Sequence, residues 1–205
     1  MRALLLVDIQ NDFLPGGALA VKEGNEILPV VNELLRKPFD VIVASKDWHS
    51  RDHGSFAETH GKNPGEHIFL DGLDQLLWPT HCVQNTPGAE FAKGWNSHKV
   101  HEVFCKGTDK EVDSYSTFYD NDHRRTTGLE AFLKGKGVTE LYIAGLATDY
   151  CVKYSVLDAL TMGFKVFVVQ DAVRGVNLSL TDSHHALKEM QSKGAHLIEL
   201  KDIKF

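Results

Sequence analysis

The chain has 205 residues, of which 42% are hydrophobic and 24% are charged, and its formal net charge is −6. This composition is typical of a globular protein and argues against disorder, while the lack of a basic excess argues against nucleic acid as a partner. We therefore expect one domain spanning residues 1–205, with a small molecule as its partner.

The N-terminus and the cysteines indicate a reducing compartment. The first apolar stretch ends at Asp8 and is too short for a signal peptide or a membrane span. Three cysteines, Cys82, Cys105 and Cys151, are an odd number and make a poor disulfide framework. We therefore expect a cytoplasmic protein, without membrane contact, whose thiols are free.

Short apolar runs rich in β-branched residues alternate with longer segments of helical period. The predicted strands cover residues 3–8, 41–45, 100–106, 140–144, 165–169 and 196–199. The predicted helices cover residues 24–36, 127–136, 149–162 and 179–193. This alternation predicts a three-layer, Rossmann-like α/β domain with a parallel sheet covered on both faces. The order of the strands stays open.

Two stretches of the chain lack this alternation. Residues 47–97 are rich in His, Gly, Pro and Asn and show no sustained periodicity, which predicts a long ordered loop. Residues 107–125 predict a second loop. Because long loops inside a compact domain are usually functional, we expect a binding site in the first of them.

Polar or reactive side chains lie where four predicted strands end. Asp8 closes the first strand, Asp47 and His49 follow the second, Lys106 closes the third, and Cys151 lies just beyond the fourth. Ligands of open parallel sheets bind in the crevice at the carboxyl ends of the strands. We therefore expect these five side chains to converge on one edge of the sheet.

Cys151 follows residues 145–150, where a predicted strand turns into a helix whose first turn holds the cysteine. Since helix N-termini lower thiol pKa values and present free N–H groups, this turn suits a nucleophile with an oxyanion hole near Ala147 and Cys151. Asp8 would exchange protons with the thiol, and Lys106 would stabilise negative charge. Two alternatives stay open: Cys151 as a packing residue, and Asp8 with Lys106 as a structural ion pair or two solvated strand ends.

A metal site is predicted beside these residues. Asp47 and His49 stand at positions i and i+2, which project to the same side of an extended chain. His81, from the far end of the long loop, would be a third ligand. Two histidines and one carboxylate suit Zn²⁺ or Fe²⁺ and leave positions open. His53 is a further candidate, and solvated loop histidines are the alternative.

The other histidines and cysteines are expected to lie outside this site. Surface positions are predicted for His60, His67, His98, His101, His184 and His185. Cys82 and Cys105 are predicted to be packing residues, with a metal ligand beside His81 as the alternative role of Cys82.

Six segments of the sequence resemble the nicotinamidases of the isochorismatase-like, or cysteine hydrolase, superfamily. They are residues 7–13 (VDIQNDF), 15–17 (PGG), 47–49 (DWH), 78–83 (WPTHCV), 106–107 (KG) and 145–152 (GLATDYCV). They occur in the order seen in that family and extend over most of the chain. The resemblance implies a parallel six-stranded sheet flanked by helices.

The resemblance also implies roles for the candidate residues. It implies a catalytic triad of Asp8, Lys106 and Cys151 and a divalent-metal site, with Zn or Fe favoured, formed by Asp47, His49 and His81. Some relatives recruit another histidine to the metal, and His53 is the nearest match. Phe13 and Trp78 match positions that flank the substrate ring, and Tyr115 is able to close the pocket. Core packing is the alternative role of these three aromatic residues.

The implied reaction is the hydrolysis of nicotinamide to nicotinic acid and ammonia. Cys151 attacks the carboxamide carbon, the N–H groups of Ala147 and Cys151 hold the oxyanion, and Asp8 delivers a proton so that ammonia leaves. A thioester remains, and water activated by the metal or by Asp8 hydrolyses it. In relatives the peptide bond before the residue that matches Ala147 can be cis.

Three alternatives stay open. Other hydrolases of the superfamily, such as isochorismatases or amidases acting on ureido or carbamoyl groups, share the fold and often the triad but generally lack the set Asp47, His49 and His81. A non-catalytic binding module would lose the nucleophile, and a structural zinc site is usually closed by four protein ligands. The native metal, the preference among nicotinamide analogues and a homo-oligomeric state are not determined by the sequence.

Overall fold

The computed structural model describes residues 1–205 and contains eight β-strands and four α-helices. The strands are β1 Arg2–Val7, β2 Val41–Asp47, β3 His67–Leu70, β4 Leu73–Leu76, β5 Glu102–Lys106, β6 Glu140–Leu146, β7 Lys165–Arg174 and β8 His196–Ile198. The α-helices are α1 Ile27–Leu34, α2 Leu129–Gly135, α3 Lys153–Thr161 and α4 Asp182–Ser192.

Six strands form one parallel sheet in the order β5-β2-β1-β6-β7-β8. β1 lies near the centre, and its residues from Ala3 to Val7 are fully buried, as expected for a strand covered on both faces. The predicted parallel six-stranded sheet is therefore confirmed.

The side chains of β1 alternate between two hydrophobic clusters, one on each face of the sheet. Leu4 and Leu6 pack in the cluster that contains the buried face of α1, and Ala3 and Leu5 pack in the cluster that contains buried residues of α2, α3 and α4. The result is the predicted arrangement of three layers. The longest α-helix, α4, has 11 residues, and no helix has the length and apolar character of a membrane span.

The structure corrects three local predictions. The stretch 47–97 is not only a loop: it contains the antiparallel hairpin of β3 and β4, whose four-residue strands are too short to give a periodic signal in the sequence. The helix predicted from residue 149 begins at Lys153, because Thr148–Val152 form a π-helical turn. Cys105 does not pack in the core: it is exposed, since β5 is an edge strand. Cys82 is buried, and the six histidines predicted at the surface are all exposed.

Candidate functional site

The strand order brings four of the candidate residues to one edge of the sheet. β5, β2, β1 and β6 are consecutive neighbours, and their carboxyl ends point the same way. Lys106 ends β5, Asp47 ends β2, Asp8 follows β1, and Cys151 lies in the π-helical turn after β6. All four are buried.

The ammonium of Lys106 contacts the other three groups. Its Nζ lies 3.0 Å from Asp8 Oδ2, 3.0 Å from Asp47 Oδ1 and 3.3 Å from Cys151 Sγ. It also donates a hydrogen bond to the carbonyl oxygen of Ser114 at 2.9 Å. One buried cation thus holds two carboxylates and a thiol within reach of one another.

Burial controls the proton affinities of this group. It raises the pKa of the Cys151 thiol well above its usual value and outweighs the opposite effect of Lys106. Burial also raises the pKa of Asp8, although the Lys106 ammonium opposes it. For Lys106 burial favours the neutral amine, but the carboxylates of Asp47 and Asp8 raise its pKa well above the usual value. Lys106 lowers the thiol pKa as expected, but burial outweighs this effect, so the net shift of the Cys151 pKa is upward and not downward.

The second carboxylate oxygen of Asp47 faces two histidines. Asp47 Oδ2 lies 2.9 Å from His49 Nε2 and 3.2 Å from His81 Nε2. The Nδ1–H of His49 donates to the carbonyl of Gly107 at 2.9 Å, and that of His81 donates to the carbonyl of Pro79 at 2.7 Å. Nε2 of each ring therefore faces the same carboxylate oxygen. One possible ligand atom from each of Asp47, His49 and His81 lies within 4.8 Å of the others, and all three residues are buried, which fits a divalent cation. Carbonyl groups that orient the ligating imidazoles are typical of metal sites.

The long loop brings His81 to this position by folding back over the strand ends. The N–H of His49 donates to the carbonyl of Cys82 at 3.0 Å, and His49 forms a parallel bridge with Val83. Phe56 is fully buried and its ring packs against His49, His53 and His81. The backbone at Gly107, directly after Lys106, also lies close to the ring of His49. A Cβ at this position would lie 2.4 Å from His49 Cε1, so a side chain would not fit there.

His53 is fully buried beside this set, but its free nitrogen has no partner. Its Nδ1 accepts a hydrogen bond from the N–H of Ser55 at 3.2 Å and lies 2.8 Å from Ser55 Oγ. Its Nε2 forms no hydrogen bond. Burial lowers the pKa of His53 to about 4, so the ring is neutral.

A mostly apolar cavity adjoins these groups. Its walls include Phe13, Trp78, Tyr115, Tyr150, Leu19, Ala147 and Val176, together with Asp47, His81, Asp113, Ser114 and Cys151. Trp78 Nε1 donates a hydrogen bond to Tyr115 Oη at 3.2 Å. Aromatic walls with a few polar groups at one end suit a flat ring that carries one polar substituent.

The turn after β6 lies at the polar end of the cavity. The peptide bond between Leu146 and Ala147 is cis. The N–H of Ala147 donates to no carbonyl of the chain, and the side chain of Asp149 accepts hydrogen bonds from the N–H groups of Val176 and Asn177 at 2.9 and 2.7 Å. Asp149 thereby attaches the cavity wall at Val176 to the turn that carries Cys151.

The structure adds residues to the site that the sequence did not single out. Ser45 Oγ donates to Asp8 Oδ1 at 2.6 Å, and Gln10 bonds the backbone N–H and carbonyl of Asp47. Tyr150 and Asp113 line the cavity. Gln10 and Tyr150 lie inside the segments that carry the family resemblance, so those segments could have identified them. No sequence feature points to Ser45 or Asp113 as residues of the site.

Comparison with known proteins gives consistent matches over the whole chain. The nicotinamidase of Escherichia coli (strain K12) is 50% identical over 204 residues, which cover 98% of this chain and 96% of that protein. A solved Acinetobacter baumanii nicotinamidase and pyrazinamidase matches with a TM-score of 0.94 and 42% identity over 98% of this chain and 97% of its own. The Pyrococcus horikoshii pyrazinamidase, solved in complex with zinc, matches with a TM-score of 0.79 and 41% identity over 97% of this chain and 98% of its own.

The match to a family model has the same extent. The model that describes the isochorismatase domain covers residues 2–202. Together with the relatives, this match confirms the resemblance expected from the six segments. The chain belongs to the isochorismatase family.

Proposed function

We propose that this chain is a nicotinamidase, which hydrolyses nicotinamide to nicotinic acid and ammonia through a thioester on Cys151. The observation that supports it best is the position of the thiol in the wall of a cavity lined by aromatic side chains. Cys151 Sγ lies 3.3 Å from Lys106 Nζ, and the cavity joins this thiol to the Asp47–His81 pair. The relatives at 50% and 42% identity are named nicotinamidases.

In the proposed acylation, Asp8 takes the proton of the Cys151 thiol while Sγ forms a bond to the carboxamide carbon. Because burial raises the pKa of both groups, the thiolate forms only when a base is adjacent and an acceptor carbon is in place. Lys106 stabilises the negative charge that develops. The N–H groups of Ala147 and Cys151 hold the oxyanion.

The same proton completes the proposed release of ammonia. Asp8 passes it to the amide nitrogen, the C–N bond breaks, and ammonia leaves the thioester. A water molecule then adds to the thioester carbon and gives its proton to Asp8, and the C–S bond breaks to return the thiol and release nicotinic acid. Each proton that Asp8 accepts is thus returned within the cycle.

The cavity walls and a divalent ion would hold and orient the substrate. Asp47, His49 and His81 would hold Zn²⁺ or Fe²⁺, and the ion would supply a Lewis acid for the pyridine nitrogen. Phe13 and Trp78 would flank the ring, and Tyr115 would close the cavity. His53 would face the site without binding the ion. The N–H of Ser55 donates to its Nδ1, so the one ring proton of the neutral imidazole lies on Nε2, and Nε2 has no lone pair to offer.

An assay of released ammonia tests this function. Purified protein is offered nicotinamide, pyrazinamide, a ureido compound and a carbamoyl compound, with and without prior chelation. We expect turnover of nicotinamide and pyrazinamide only, with activity lost on chelation and restored by Zn²⁺ or Fe²⁺. Turnover confined to the ureido or carbamoyl compound would replace the proposal with another hydrolase of the family.

Removal of one proposed ligand is expected to release the ion. His81→Ala should lower metal content and ammonia release together by about 10- to 100-fold or more, because two protein ligands remain where three converge. Elemental analysis and the ammonia assay measure the two effects. His60→Ala is the matched control, since His60 belongs to the same loop but is exposed. Full metal content in His81→Ala would remove this residue from the site.

A further inference from the structure

We propose that Asp113 is an additional ion-binding residue of this centre and supplies the negative charge that a divalent ion needs there. The inference rests on the metal site of the proposed function and assigns a residue to it. Asp113 lies between β5 and α2, is only 3% exposed, and lines the cavity. It belongs neither to the proposed triad nor to the three-ligand set.

Asp113 and Asp47 both lie close to Nε2 of His49. His49 Nε2 lies 2.9 Å from Asp47 Oδ2 and 4.0 Å from Asp113 Oδ1. Ligand atoms of His49, His53 and Asp113 all lie within 4.8 Å of one another, as do those of Asp47, His49 and His81. Because the Nε2 lone pair of His49 binds only one ion, Asp113 would belong to the same site as Asp47, and His53 would lie beside that site without acting as a ligand.

The formal charges of the buried groups favour the same assignment. Asp8, Asp47 and Asp113 are the buried carboxylates around this centre, and Lys106 is the one buried lysine or arginine. Lys106 contacts Asp8 and Asp47 at 3.0 Å each, so the carboxylate of Asp113 lacks a cationic lysine or arginine partner. Histidines that bind a divalent ion are neutral, so one such ion together with Lys106 would balance the three carboxylates. Without Asp113, the same ion would leave the site with a net positive charge.

His53 supports a role for Asp113 because it presents a hydrogen rather than a lone pair. Its Nδ1 accepts the N–H of Ser55, so the ring proton is on Nε2, which is buried and has no partner. A carboxylate is a suitable acceptor for this N–H, directly or through a water ligand of the ion. We therefore assign to Asp113 the negative charge that faces the ion, and to His53 the N–H that donates a hydrogen bond to this carboxylate or to a water ligand of the ion.

Asp113 also has local contacts that must be separated from this role. Its Oδ1 accepts the N–H of Ser114 at 2.8 Å, and its Oδ2 lies 3.4 Å from Gln75 Nε2. Asparagine retains an acceptor oxygen but removes the charge, so Asp113→Asn separates electrostatics from loop structure. Asp120→Asn is the matched control, because Asp120 is a buried aspartate of the same loop that accepts the N–H groups of Arg124 and Arg125.

The experiment measures the Zn²⁺ affinity of metal-free protein by competition with a chelator. We expect Asp113→Asn to bind Zn²⁺ about 10- to 100-fold more weakly than the wild type, Asp113→Glu to bind more tightly than Asp113→Asn, and Asp120→Asn to match the wild type. Asp113→Ser replaces the asparagine variant if circular dichroism shows that the latter is unfolded.

The outcomes distinguish this inference from the proposed function. Wild-type protein that binds no Zn²⁺ would overturn the metal centre and Asp113 with it. Tight binding by the wild type, with equal affinity in Asp113→Asn, would overturn only the role of Asp113. Equal weakening in the Asn and Glu variants would assign the effect to loop structure and would also overturn it.

Discussion

Cys151→Ala is expected to reduce ammonia release from nicotinamide by at least about 10⁴-fold, because alanine provides no atom that can form the thioester. The fold and the metal content should remain, since Sγ lies at the cavity wall and none of the proposed ion-binding residues is changed. Steady-state ammonia release, circular dichroism and elemental analysis measure these effects.

The other two thiols provide matched controls for Cys151. Cys105→Ala changes an exposed thiol and Cys82→Ala changes a buried one outside the triad. Both variants should retain turnover, although Cys82→Ala is expected to lose some stability because it leaves a small void in a packed core. Mass spectrometry of rapidly quenched wild-type reactions should detect the acyl group on Cys151 alone. Substantial turnover by Cys151→Ala would require a different nucleophile.

Asp8→Asn is expected to lower kcat by about 10²- to 10⁴-fold, because the amide has the shape of the carboxylate but cannot carry a proton between thiol and leaving group. Ser45 Oγ can still donate to the remaining carbonyl oxygen, and Lys106 retains Asp47, so the fold should persist. Ammonia release and thermal unfolding measure the two properties. Near-normal kcat in this variant would give Asp8 a structural role.

The pH profile of the wild type tests the same assignment. Burial raises the pKa of Asp8 above its usual value of 3.8. A base with a raised pKa loses its charged form earlier as the pH falls, so kcat/KM should decline on the acid side at a pH above 3.8. The corresponding limb should be absent from the residual activity of Asp8→Asn. An identical limb in both proteins would assign that titration to another group.

Lys106 is a weaker test, although its contacts are the most numerous. Lys106→Ala removes the partner of two buried carboxylates, Asp8 and Asp47, at 3.0 Å each. The unpaired charges would destabilise the fold at the same time as they alter the chemistry. Loss of activity in this variant therefore does not separate a catalytic role from a structural one.

The fold class, most of the candidate site residues and the family can be predicted from local features of the sequence. The alternation of β-branched apolar runs with helical segments predicts the layered α/β fold, because each element must bury a face of its own period. The ends of those strands identify Asp8, Asp47, Lys106 and Cys151, since ligands of parallel sheets bind there. The ordered segments identify the family. The single domain spanning residues 1–205 stays a prediction.

Only the tertiary structure determines the properties that depend on residues distant in the chain. Packing between elements sets the strand order, returns the long loop so that His81 reaches Asp47, and places Asp113 beside them. The periodicity of the sequence does not encode this packing. The proton affinity of Cys151 is a further case. A helix terminus and a lysine suggested a lowered pKa, but full burial raises it. The sequence determined which reactive groups exist, and burial by distant parts of the chain determined their charge and their partners, because desolvation depends on the whole fold.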